Sequence, residues 1–148
     1  MMQFSIPLAV GIGGCAGALL RFYISSAVTR GAGEDLAFVG TLAVNLIGCF
    51  LIGMLAIIVA RTTHLSPHSQ RVLITGLLGS LTTFSTFSLD SVNLLQQGRV
   101  GAATGNILTN VVLGLLLVWL GMQVAGAVFT DPAEQNTEER LSTSDPSL

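Results

Sequence analysis

The sequence predicts an all-α integral membrane protein built from four transmembrane helices. Of its 148 residues 51% are apolar and only 9% carry charge, whereas roughly a quarter of a soluble domain is charged. The charges are also unevenly spread, leaving uncharged runs over 1–20, 36–60, 72–89 and 100–130, of 20, 25, 18 and 31 residues. Each run reaches or approaches the roughly 20 residues that a helix needs to cross the hydrocarbon core.

The first run is read as a spanning helix from about Phe4 to Val28, not as a cleaved leader. It has no basic start, and Arg21 follows the apolar stretch instead of preceding it. Within it, Gly13, Gly14, Gly17 and Ala18 form overlapping small-xxx-small pairs, which let membrane helices approach closely. Arg21 has two readings: a snorkelling anchor, or a fixed positive charge that concentrates anions at a pore mouth.

The second helix is expected from Leu36 to Ala60. Asn45 is the sole amide in that run. It is either glue between helices or a functional group that offers two N–H donors without a net charge. The following loop carries His64 and His68 around Pro67. Metal sites need three or four converging ligands, so these read as solvated loop histidines. Cys15 and Cys49, inside predicted spans, read as small apolar fillers.

The third helix, expected to end near Asp90, holds the most informative stretch: Gly76-Leu-Leu-Gly79-Ser-Leu-Thr-Thr-Phe84-Ser-Thr-Phe87-Ser88. Five hydroxyls in seven positions (Thr82, Thr83, Ser85, Thr86, Ser88) are too polar for a plain lipid-facing helix. The two upstream glycines invite a break near the helix middle. Irregular backbone at membrane depth is tolerated only where protein buries it or a wet cavity receives it, so this segment is expected to line a transport pathway.

The fourth helix is expected from after Arg99 to about Phe129. Asn106 and Asn110, four apart, share a face. They either bond a neighbouring helix or, with Thr109, line the same pathway. Trp119 suits core or interface equally. Residues 1–130 thus form the transmembrane domain. Residues 131–148 hold five acids against one arginine, a net charge of −4, and their composition predicts a disordered tail.

With four spans, Arg21, Arg30 and Arg99 fall on one side of the membrane and Arg61, Arg71 and Arg140 on the other. The positive-inside rule then gives no orientation. Such a chain can insert both ways round and pair as an antiparallel dimer; a weak bias set by other signals is the alternative.

Three motifs carry a family resemblance. Gly13-Gly14-x-x-Gly17-Ala18-x-x-Arg21, Thr41-Leu-x-Val-Asn45-x-x-Gly48 and Gly79-x-Leu-Thr-Thr-Phe84-Ser-Thr-Phe87-Ser88 together resemble the Fluc/CrcB fluoride channels, over about residues 8–122. The resemblance implies an antiparallel, dual-topology homodimer with two fluoride pores, multi-pass in a bacterial inner membrane. It implies that Phe84 and Phe87 face the ion, that Asn45 projects into the pore, and that Arg21 is the vestibule arginine. Ser85 and Thr86 join the pore by the same transfer. It also implies a central structural Na⁺ on the backbone carbonyls of Gly79 and Thr82 from both subunits. Ser80 stands where a second glycine is common. Gly114 and Val118 stand where some members carry hydroxyls, a role open to Asn106, Thr109 and Asn110.

The chemistry suits a small, strongly hydrated anion. Neutral donors replace water without a charge that would trap it, and phenylalanine edges carry positive potential. Weak repeated contacts let an ion enter and leave. The chain has no lysine and hence no Gly-x-x-x-x-Gly-Lys phosphate loop, so passive flux through the bilayer is expected; no enzymatic activity and no nucleic-acid partner are. A proton-coupled drug exporter needs an intramembrane carboxylate, for which only Asp90 is near. A membrane scaffold would use the same polar residues merely as glue. An intramembrane hydrolase would lack a base within the bilayer.

Overall fold

The computed structural model describes residues 5–61 and 65–129. Four helices are long and apolar enough to cross a membrane: α1 (Ser5–Ala32), α2 (Phe38–Arg61), α3 (Pro67–Gln96) and α4 (Val100–Val128). Among the described residues there is no strand. The acidic segment 131–148 and His64 lie outside the described residues.

Apolar runs made these helices foreseeable, while their ends follow local chemistry. Pro67 does not mark a loop: it is the first residue of α3, preceded by Ser66, whose hydroxyl accepts a hydrogen bond from the Ser69 N–H at 3.1 Å. Proline suits that position because its missing N–H would have no helical partner there anyway. His68 therefore sits exposed in the first turn of α3. At its other end α3 runs on past Asp90 to Gln96. It stops where Gly98 adopts a left-handed φ of 73°. There the Arg99 N–H reaches the Leu94 carbonyl at 2.9 Å and the Gly98 N–H reaches that of Leu95 at 3.0 Å. This is the paired closure that a glycine beyond a helix end permits.

Two packings organise the bundle: α2 lies along the last part of α4, and α1 lies along the first half of α3. Val44, Leu78 and Leu81 form the buried core, with Ile24, Leu55 and Leu77 against it. Large apolar side chains such as Leu8, Phe22, Leu115 and Trp119 are exposed, as expected of surfaces that meet lipid. Arg61 closes the far end of α4, donating from Nη1 to the Gly126 carbonyl at 2.9 Å and the Phe129 carbonyl at 3.0 Å. A cation there satisfies carbonyls left without helical donors and complements the helix dipole.

The α1–α3 contact rests on backbone approach. A Cβ placed on Gly17 would overlap the backbone of Leu77. Gly17→Leu is therefore expected to destabilise the protein by at least about 1–3 kcal/mol, the usual range for overpacking, because backbone cannot rotate away. Thermal unfolding in detergent measures this. An unchanged melting temperature would contradict the described contact.

Candidate functional site

The site grows from two residues in α3 that are not helical. Thr82 (φ −80°, ψ 152°) and Thr83 (φ −149°, ψ 113°) have extended backbone between the helical stretches Gly79–Leu81 and Phe84–Gln96. Thr82 keeps its tie to the preceding turn, its N–H and its hydroxyl both donating to the Leu78 carbonyl at 3.1 Å. Thr83 caps the following stretch, its hydroxyl oxygen accepting from the Thr86 N–H at 3.2 Å. Threonine suits this position because its side-chain oxygen replaces a missing helical acceptor.

Asn45 completes the pairing from α2. Its Oδ1 accepts the Thr83 N–H at 2.9 Å, and its Nδ2 donates to the Thr83 carbonyl at 3.3 Å. One amide thus satisfies both backbone groups of one residue at membrane depth. In a continuous helix the Thr83 N–H would go to the Gly79 carbonyl; here Asn45 takes it. Nδ2 also donates to Asn110 Oδ1 on α4 at 3.0 Å. Both N–H groups of Asn45 are therefore engaged within the chain. An anion beside Asn45 gains a hydrogen bond from it only in exchange for one of these.

Asn110 donates onward to the Asn106 carbonyl and Asn106 Oδ1, both at 3.0 Å. It lies in Thr109–Leu113, where α4 widens to π-helical spacing; Arg71–Leu78 in α3 does the same. Such widened turns recur at functional sites, and nothing in the residue pattern announces them.

A cavity of about 370 Å³ opens here, lined by Asn45, Gly79, Thr82, Thr83, Phe84, Phe87 and Asn110 with apolar neighbours including Cys49 and Ile52. The two rings meet edge to face, centroids 5.5 Å apart at 61°. Phe87 is 8% exposed, whereas Phe84 is 79% exposed. Six of the residues singled out in the sequence thus converge on one cavity: Asn45, Gly79, Thr82, Phe84, Phe87 and Asn110.

Three do not line it. The hydroxyls of Ser85 and Thr86 cluster on Thr83 Oγ1, at 3.2 and 3.0 Å, on the exposed side. Arg21 lies on α1, half-buried, away from the cavity lining. Asp90 belongs to a different, polar cavity of about 240 Å³ with Asp35, Asn93, Gln97 and Arg99. Among the described residues, no carboxylate lines the phenylalanine cavity. Ser91 and Asn106 are buried polar residues beside the site, 4% and 3% exposed. Ser91 was not apparent from the sequence, although it continues the four-residue spacing from Phe87.

The family described as "CrcB-like protein, Camphor Resistance (CrcB)" matches residues 8–122. A protein of a Sulfurovum species is 48% identical over 123 residues, covering 83% of this chain and 95% of its own. One from Hydrogenovibrio crunogenus is 42% identical over 123 residues, covering 83% and 92%. One from Methylobacillus flagellatus is 40% identical over 117 residues, covering 79% and 91%. Each bears the name fluoride-specific ion channel FluC. With the matched region running through all four helices and both phenylalanines of the cavity, the chain belongs to the CrcB-like family.

Proposed function

We propose that this chain is a fluoride-selective passive channel, not an enzyme, and that it lowers cytoplasmic fluoride across a bacterial inner membrane. The observation that carries the reading is the cavity itself, where a phenylalanine pair and neutral amides meet, with no charged side chain among the described lining residues. The relatives' shared name supplies the ion. Phenyl edges and hydroxyls contact the anion weakly and in succession, while Asn45 and Asn110 exchange hydrogen bonds with it. An inside-negative potential favours anion exit by about 2.3 kcal/mol per charge per 100 mV, so export needs no ATP.

The functional unit in this reading is an antiparallel, dual-topology homodimer with two pores. The exposure of Phe84 supports it: a ring that stands off one protomer needs a second surface to enclose an ion. Arg21 serves as the vestibule cation, and Ser85 and Thr86 extend the polar wall. Residues 1–130 form the channel body in this reading.

The extended pair Thr82–Thr83 acts as the break of α3, and the freed carbonyls fit a central Na⁺. Because Asn45 takes the Thr83 N–H, the Gly79 carbonyl loses its helical donor; Gly79 is exposed, so the oxygen has room for a ligand. Carbonyls of Gly79 and Thr82 from both subunits would hold the ion, which supplies fixed positive charge at the dimer axis and is not transported. Exchanging Na⁺ for a large organic cation is expected to dissociate the dimer, read by light scattering after size-exclusion chromatography. A dimer with undiminished flux after full exchange would remove the ion from the reading.

The test of the function is efflux from liposomes holding the purified protein, followed with a fluoride electrode beside a chloride control. Rapid fluoride release with negligible chloride release is expected. Well-folded protein that releases neither ion would favour a scaffold.

A further inference from the structure

The hydrogen bonds around the phenylalanine pair form one chain with a single direction. The Thr83 N–H donates to Asn45 Oδ1 at 2.9 Å, Asn45 Nδ2 to Asn110 Oδ1 at 3.0 Å, and Asn110 Nδ2 to Asn106 Oδ1 at 3.0 Å. Asn106 Nδ2 then donates to Ser91 Oγ at 2.9 Å, and the Ser91 hydroxyl donates to the Phe87 carbonyl at 2.8 Å. The chain leaves α3 at Thr83, crosses α2 and α4, and returns to α3 at Phe87. Its two ends therefore bracket Phe84 and Phe87.

Both ends dictate the direction. A backbone N–H can only donate and a backbone carbonyl can only accept, so each amide between them has one permitted orientation. Turning any one of the three by 180° would set donor against donor or acceptor against acceptor. Bonds aligned head to tail also polarise one another and strengthen together. Ser91 is the link that closes the chain: its hydroxyl is spent on Phe87 and so must accept from Asn106. Both residues are nearly inaccessible, so water cannot substitute for either.

We infer that Ser91 is a positioning residue for the ion path, acting through Asn106 to hold the amides of Asn110 and Asn45 and directly to hold the Phe87 backbone. The inference deepens the channel reading and rests on it for its flux consequence. Without the hydroxyl, the Asn106 N–H has no acceptor and the Phe87 carbonyl loses its tie to α4. The Asn106 amide is then free to turn, and Asn110 Nδ2 keeps only the Asn106 backbone carbonyl as a fixed acceptor.

The experiment compares Ser91→Ala, Ser91→Val and Ser91→Thr in proteoliposomes. Valine and threonine have the same shape and differ in the hydroxyl, which separates packing from hydrogen bonding. Fluoride efflux is expected to fall about tenfold or more with alanine and valine, the scale of one buried hydrogen bond lost with its partner left unpaired. Threonine is expected to restore efflux to near the parent rate. Valine conducting as threonine does would overturn the proposal; if valine fails to fold, alanine against the parent gives the same decision. A second readout follows the side-chain ¹H–¹⁵N amide resonances of Asn106, Asn110 and Asn45 in detergent. Ser91→Ala is expected to shift all three, whereas a change confined to Asn106 would mean a local contact and no chain. These resonances report on the chain even if the parent conducts no fluoride, in which case the channel reading alone would fail.

Discussion

Asn45→Leu is expected to reduce fluoride efflux by about a hundredfold or more and to lower thermal stability with it. Leucine has nearly the shape of asparagine, so the change isolates hydrogen bonding. The amide is the partner of both the N–H and the carbonyl of Thr83, part-buried groups on the cavity wall. Leaving the Thr83 N–H unpaired costs about 1–3 kcal/mol, while the carbonyl keeps the N–H of Phe87 in the helix it caps. The lost bonds to the Thr83 carbonyl and to Asn110 Oδ1 add about 0.5–1.5 kcal/mol each, for a total of about 3 kcal/mol, or about two decades in an equilibrium constant. The extended Thr83 backbone then loses its tie to α2, and Asn110 loses its donor from that helix. Asn45→Asp sharpens the result: it keeps an acceptor for the Thr83 N–H, loses both donors and repels an anion. It should retain more stability than leucine and no more flux. Efflux and unfolding measured on both variants decide the matter, and a leucine variant that conducts like the parent would remove Asn45 from the site.

Phe84→Leu is expected to lower fluoride efflux by about tenfold or more while leaving the protomer's folding intact. The ring is 79% exposed, so its loss removes little packing within the protomer, and surface changes of this kind stay within about 0.5 kcal/mol. What leucine lacks is a polarised edge. Phe87→Leu removes the same kind of edge but also a side chain that is 8% exposed, adding a loss of core packing. The informative pattern is therefore a flux defect in both variants with a stability defect chiefly in Phe87→Leu. Equal flux from Phe84→Leu and the parent would mean that the exposed ring serves contact with a partner or lipid, not conduction.

Much of the architecture was legible because membrane burial writes itself into composition: a helix that crosses lipid needs an uncharged run of fixed length. The four spans follow from that alone. Their ends were less legible, since capping depends on one or two residues. Pro67 read as a loop residue but opens α3, and the α3 helix continues through the polar turns after Asp90 to the Gly98 closure. The hydroxyl-rich segment pointed to the right neighbourhood because five polar groups in a membrane span need partners. Which partners they have could not be read. The widened turns at Arg71–Leu78 and Thr109–Leu113 likewise have no residue signature.

The amino-acid order by itself determined the number of spans, the apolar outer faces, and the clustering of Thr82, Thr83, Phe84 and Phe87 on one segment. These depend on neighbours within a few positions. Only the tertiary structure decided that Asn45 pairs with a residue 38 positions away and donates to one 65 away, that Ser91 and Asn106 close the circuit, and that Arg61 caps α4. It also decided that the Asn45 donors are occupied and not free. The reason is physical: hydrophobic length is a property of a single helix, whereas a hydrogen bond has direction and needs two groups, and the approach of three helices alone determines which donors meet which acceptors.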